Sequence, residues 1–244
     1  MPMPSPATTP RRGRAIGCVA AALLLAVVIG PPRPALAAPG DAELAFHWAP
    51  VHHQDTDSTD ADADYLTTVD YDGNWQTIDN WEHQDDDPGR LSGAVYYSVV
   101  ETGTHFFVDY AFFHPRDWCD YPFCDLFDSH ENDMEGLVMA VRKDGSEFGR
   151  LEAMVTIAHD NFYSYVPPGG TWRDGQEDVD GTIVTRDFDG TPDRPTTFQE
   201  AKGHGAFAWD GGEFPGGDGV VYYPSRSASE VPANGNDRQV ATAW

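Results

Sequence analysis

Between Ser129 and Gly136 the chain reads Ser-His-Glu-Asn-Asp-Met-Glu-Gly, which places His130, Asp133 and Glu135 within six residues. Alternation along an extended backbone puts Asp133 and Glu135 on one face. Two carboxylates side by side repel unless a proton or a cation lies between them. Carboxylate oxygens, helped by water and one imidazole, suit a hard divalent cation such as Mg²⁺, Ca²⁺ or Mn²⁺. Spacing alone equally allows a plainer reading, in which the carboxylates are exposed on a very acidic chain and His130 caps a turn.

The elements that must position these residues read as strands and turns. Residues 91–102 (LSGAVYYSVVET) and 104–114 (THFFVDYAFFH) are aromatic and β-branched and predict a hairpin. Residues 134–143 and 149–159 flank Asp144-Gly145 and predict a second. The SHENDMEG stretch therefore falls at a loop-to-strand junction. Further strand-like runs are 46–53, 64–71, 161–166, 181–186, 204–209 and 219–223, and no window carries a long 3.6-residue apolar period. Many short strands between Asp, Gly and Pro clusters predict an all-β fold, an antiparallel β-sandwich with long acidic loops.

The first 37 residues read as a secretory signal peptide: Arg11, Arg12 and Arg14, then the apolar run Ala15 to Gly30, then the small-residue site Ala35-Leu36-Ala37. Residues 38–244 are then expected to form a single secreted, extracellular domain, with a monomer expected. Four arginines leave with the peptide (11, 12, 14 and 33), so 11 basic residues face 40 acidic ones, a formal charge of −29. That charge excludes nucleic acid as a partner and opposes anionic lipid, so stable membrane insertion is not expected. Cys18 is also lost. Cys119 and Cys124 remain, an even count in an oxidising compartment, and predict a short-loop disulfide, with thiolate metal ligation as the rival. Three Asp-x-Asp-Gly segments, starting at Asp70, Asp178 and Asp187, lack the rest of a calcium loop and read as turns. No nucleophile elbow, zinc-protease helix or phosphate-binding glycine loop is present in the sequence.

Residues 110–117, YAFFHPRD, followed by H-x-x-D-x-E at 130–135, resemble the necrosis- and ethylene-inducing peptide-like proteins, secreted β-sandwich toxins that carry the heptapeptide G-H-R-H-D-W-E. WAPVHHQDTD (48–57) is similar to the opening of their vacuolar protein sorting-associated relatives. The resemblance implies that Asp117 and Asp133 coordinate a divalent cation, with His130 and Glu135 beside them and His204 as a further histidine near the metal. Ser129, Glu131, Asn132 and Met134 depart from the heptapeptide, which puts the toxins' cytolytic activity in doubt while sparing the positions a metal needs. Two functions follow. One is a binding protein that holds a cell-surface glycan or glycolipid through the cation, with Trp48, Trp75, Trp81 or Trp118 as stacking faces. The other is a hydrolase that uses a cation-activated water, with His130 or His204 as its acid-base partner.

Overall fold

The first described element is a helix that overlaps a run in which the sequence suggested a strand. In the computed structural model, which describes residues 39–124, 129–172 and 179–244, α1 spans Asp41–Trp48 and β1 spans Val51–Asp55. Asp41 and Glu43 occupy the first turn of α1, where acids favour the helix dipole. Pro50 then forces the chain extended. The carbonyls of Phe46 and Ala49 near the helix end each accept 2.7 Å hydrogen bonds from Nη1 of Arg194, which is wholly buried. The expected signal peptide lies outside the described residues, as does Asp178.

After a second helix, α2 (Asn80–Asp86), the strands run β2 (Val95–Glu101), β3 (His105–Asp117), β4 (His130–Arg142), β5 (Arg150–Ala158), β6 (Asn161–Val166), β7 (Gly181–Thr182), β8 (Thr185–Phe188), β9 (Thr191–Gln199), β10 (Ala206–Ala208), β11 (Gly219–Ser225) and β12 (Val240–Ala243). One sheet is a meander, β2-β3-β4-β5-β6-β7, and contains both expected hairpins. The other has the order β10-β9-β1-β11-β12, with β8 attached to β9. The two pack as a β-sandwich around Leu44, Leu66, Leu91, Val108, Phe112, Met139, Met154 and Tyr222, all but fully buried. The sheets are mixed, because β1 with β9, β11 with β12, and β6 with β7 run parallel.

Three local expectations change. Residues 64–71 are not a strand: Asp64 ends a short 3-10 helix, Ala61–Asp64, and the chain then runs irregularly into a turn at 69–71. Strand β9 was hidden by Pro192 and Pro195. β4 starts at His130, so all of the SHENDMEG stretch after Ser129 lies on the strand, with Asp117 opposite His130 and His114 opposite Asp133. Pro115 has no N–H to offer the ladder, Asn132 takes φ +63°, and pairing skips that position. The Cys119–Cys124 disulfide closes the loop that follows β3, with Cα atoms 6.1 Å apart. Two of the Asp-x-Asp-Gly segments are turns, Gly73 at φ +94° and Gly190 at φ +73°.

Gly136 lies on β4 opposite Ala111 of β3. A Cβ there would collide with the backbone carbonyl of Tyr110, which cannot retreat without breaking the ladder that holds Asp133 and Glu135. Gly136→Ala should therefore cost about 1–3 kcal/mol, the usual range for overpacking, in urea unfolding. An unchanged midpoint would mean that the two strands separate freely.

Candidate functional site: a buried carboxylate-imidazole triad beside further buried carboxylates

Along β3 and β4 the inward-facing positions turn from apolar to ionisable at one end. Phe112 gives way to His114, and Leu137 gives way to Glu135 and Asp133. What makes this tolerable is Asp64, at the end of its 3-10 turn and fully buried. Its Oδ1 accepts from Trp118 Nε1 (2.9 Å) and from the backbone N–H of Lys202 (2.8 Å), and its Oδ2 accepts from the N–H of Asp57 (2.8 Å). These bonds tie the 57–64 segment to the end of β3 and to the 200–204 loop.

His204, also fully buried, lies between two acids: Nε2 is 3.2 Å from Asp64 Oδ1 and Nδ1 is 2.9 Å from Asp133 Oδ2. An imidazole can donate from both nitrogens only as the cation. Burial pulls its pKa down, but the hydrogen bonds and charges of Asp133 and Asp64 outweigh burial and lift it to about 9. The ring stacks on His114 with centroids 3.7 Å apart and planes 3° apart. His114 is held neutral, its pKa driven well below the usual value by burial and then by the charge on His204. Gln199 locks the pair, accepting at Oε1 from His114 Nε2 (3.1 Å) and donating from Nε2 to the carbonyl of His204 (2.6 Å).

Above the triad the negative charge is less well matched. Glu135 Oε1 accepts from the backbone N–H of His159 (2.9 Å), while Oε2 is buried with no hydrogen-bond partner. Burial, with the nearby Asp133 charge also acting, lifts Glu135 to about 7. Asp117 is raised by burial and then by Asp133. Among the described residues the cationic groups within 4 Å of them are imidazoles: His130 Nε2 is 3.8 Å from Asp117 Oδ2, and His159 Nδ1 is 4.0 Å from Glu135 Oε1, with His159 Nε2 3.2 Å from Glu200 Oε1. Asn132, His159, Lys202 and His204 all have left-handed φ, between +51° and +72°. Each costs of order 1 kcal/mol, and such strain concentrates at functional sites.

Sequence reasoning named five residues here, and the structure joins them pairwise. Asp133 meets His204, Asp117 faces His130, and Glu135 shares the face of Asp133. Among the described residues, the trio of His and carboxylate donor atoms lying within 4.8 Å of one another is a different one, Asp72, Asp79 and His83. There Asp72 Oδ2 contacts His83 Nδ1 at 2.6 Å and also takes Asn74 Nδ2 at 2.6 Å, while Oδ1 of Asp79 is buried with no hydrogen-bond partner. Asp64, His114 and His159 were missed. His159 ends the second hairpin and was legible as a strand-end histidine. Asp64 lies in an Asp-rich run that reads as solvated surface. No three donor atoms of Asp117, Asp133, Glu135 and His130 lie within 4.8 Å of one another, but the unpartnered buried oxygen of Glu135 and the raised pKa values of Asp117 and Glu135 mark negative charge that a hard cation would offset. Trp48 and Trp118 are buried and unavailable for stacking, whereas Trp75 is 72% exposed.

Because His204 is raised from an ordinary value of about 6.5 to about 9, its contribution to stability is complete below pH 6.5 and is lost as pH rises through 9. Urea unfolding of the wild type should show this decline. Asp64→Ala, which leaves the buried imidazolium half-paired, should cost about 3–5 kcal/mol at pH 7. A stability profile flat from pH 7 to 10 would contradict the ionised triad.

No family model matches the chain, and no curated protein matches it. The chain is similar to solved structures of the necrosis- and ethylene-inducing toxin fold. One is described as the crystal structure of Necrosis and Ethylene inducing Protein 2 from the causal agent of cocoa's Witches Broom disease: 15% identity, TM-score 0.41, 86% of this chain and 77% of that one covered. Another is described as a toxin fold as basis for microbial attack and plant defense: 13%, 0.41, 86% and 79%. A third is NLPPya in complex with mannosamine: 12%, 0.35, 86% and 78%. Likenesses this distant carry no argument about what the present chain binds, and the resemblance to vacuolar protein sorting-associated relatives rests on the sequence alone.

Proposed function

We propose that this chain is a secreted protein that binds one divalent cation, Mg²⁺, Ca²⁺ or Mn²⁺, through Asp117 and Asp133, with Glu135 and His130 alongside, and uses it to hold a cell-surface glycan or glycolipid. The observation that carries this reading is the group of three acids, Asp117, Asp133 and Glu135, crowded at one end of the sandwich, two of them with raised pKa and one with an unpartnered buried oxygen. A hard cation bound there would accept sugar hydroxyls as further oxygen ligands. The chain's own residues supply the rest. His204 and Asp64 hold the Asp133 carboxylate in one orientation, and the loop bearing exposed Trp75 and Ile78 is pinned to the site because Asn132 Nδ2 donates to the Thr77 carbonyl at 2.7 Å. The disulfide suits an oxidising, extracellular compartment.

A hydrolytic reading has one observation in its favour: Glu135, at about 7, is poised near the pKa of an efficient general base. Turnover of an ester or glycosidic substrate that disappears in both Asp133→Asn and Glu135→Gln would replace binding by hydrolysis.

Cation titration should raise the melting temperature. A concentration a hundred times the dissociation constant adds about 2.7 kcal/mol if only the folded state binds. Chelator should reverse the gain, and Asp133→Asn should abolish it. A melting temperature indifferent to both cation and chelator would sink the metal. On a glycan array the cation-loaded protein should bind and Asp133→Asn should not. Dye release from anionic vesicles should stay weak, since the charge of −29 expected after signal removal opposes close approach. Efficient leakage would restore the cytolytic reading.

A further inference from the structure

Away from the carboxylate end, a cavity of about 700 Å³ opens between β8 and the ends of β11 and β12, and it shares no residue with the site described above. Its unusual member is Arg186. In so acidic a chain nearly every cation is claimed: among the described residues, each Arg or Lys other than Arg186, Arg194 and Arg238 has a carboxylate within 4 Å. Arg194 is buried and spends its donors on carbonyls and a hydroxyl, and Arg238 is held by the Gly217 carbonyl and Asn236. Arg186 is exposed, and its side chain makes one hydrogen bond among the described residues, from Nη1 to the Tyr223 hydroxyl at 3.2 Å. Its guanidinium lies 5.4 Å from the centre of the Tyr223 ring. The ring and the hydroxyl thus hold the group at the cavity wall with Nε and Nη2 unspent.

The rest of the lining narrows the ligand. Arg226 also borders the cavity, though both its terminal nitrogens are bonded to Glu43, so it adds little free charge. Ser225 accepts at Oγ from the N–H groups of Ser227 and Ala228, which leaves its hydroxyl proton to donate inward. Ser227, Gln239 and the carboxylate of Asp189 complete a wall of hydroxyl, amide and acceptor groups. An inorganic anion or a flat aromatic acid would engage Arg186 and find no use for these groups. A polyhydroxylated ligand would engage them all, and the volume holds one or two sugar units.

We propose that this cavity binds an acidic sugar, a hexuronate unit whose carboxylate takes the fork of Arg186 and whose hydroxyls meet Ser225, Gln239 and Asp189. It is distinct from the cation site and independent of it. The test is calorimetric titration of the purified protein with glucuronate and galacturonate, against glucose and galactose. Uronate should bind and the neutral sugars should bind at least about tenfold more weakly, the 1.4 kcal/mol expected of one charge-assisted contact. Arg186→Gln should lose the preference and Arg186→Lys should keep part of it, both with the wild-type melting temperature because the side chain is exposed. Binding should survive chelator and Asp133→Asn. No uronate binding, equal affinity for neutral sugars, an unaffected Arg186→Gln protein, or loss of binding in Asp133→Asn would each overturn the proposal. Survival of uronate binding in a protein that ignores cations would leave this cavity standing and remove the metal.

Discussion

One buried cation holds two layers together. His204 bridges Asp64, from the segment after β1, and Asp133, from the middle of the meander sheet, so the two faces of the sandwich meet through a charge as well as through Leu44, Phe112 and Met139. Buried imidazoles in the same interior behave oppositely. His52, stacked on Phe112 and equally enclosed, is held neutral with its pKa depressed to about 3 by burial. Burial is common to both, and the difference lies in the neighbours: two carboxylates in line with the nitrogens at His204, a threonine hydroxyl at His52. The triad leaves one net negative charge, and Asp117 and Glu135 add to it. The crowding of acids at this end of the sandwich is thus built on a core that is already anionic, which is the electrostatic basis of the proposed cation site.

Much of this order was legible. The meander hairpins followed from alternation and from Asp144-Gly145, although the connection that forms, over residues 143–149, is longer than a two-residue turn. The shared face of Asp133 and Glu135 followed from the period of a strand, and it holds because both belong to β4. The second sheet was harder to read. β9 carries two prolines, β1 is preceded by a helix whose eight residues are too few for a clear period, and its pairings join segments with no local signal between them. Asp64 was illegible for a different reason. Its four donors come from Asp57, Trp118, Lys202 and His204, and nothing in an Asp-rich run tells which aspartate will be enclosed.

Arg116 shows the same logic at the rim. It is buried beside Asp60, lies 3.6 Å from Asp85, and its guanidinium sits 4.8 Å from the Trp81 ring and 5.7 Å from that of Trp118. With Lys202, which bridges Asp57 and Asp120 at 2.8 and 3.0 Å, it fastens the acidic loops down. The few cations of this chain are spent mainly as fasteners for acidic segments that would otherwise repel one another.

The two sheets differ in how far apart in the chain their partners lie. Meander neighbours from β2 to β6 are successive strands, whereas β1 must find Thr196 and Tyr222 across most of the domain. Contacts between distant segments form slowly because a long loop must close first. The meander can therefore assemble early, carrying Asp117, Asp133 and Glu135 in place but without their buried counterpart. His204 arrives only when β9 and β10 have docked, and until then the three acids repel each other on an unsupported strand end. The carboxylate site thus serves as a record of completed folding, since a chain that has built only one sheet presents the charges without the imidazolium that organises them.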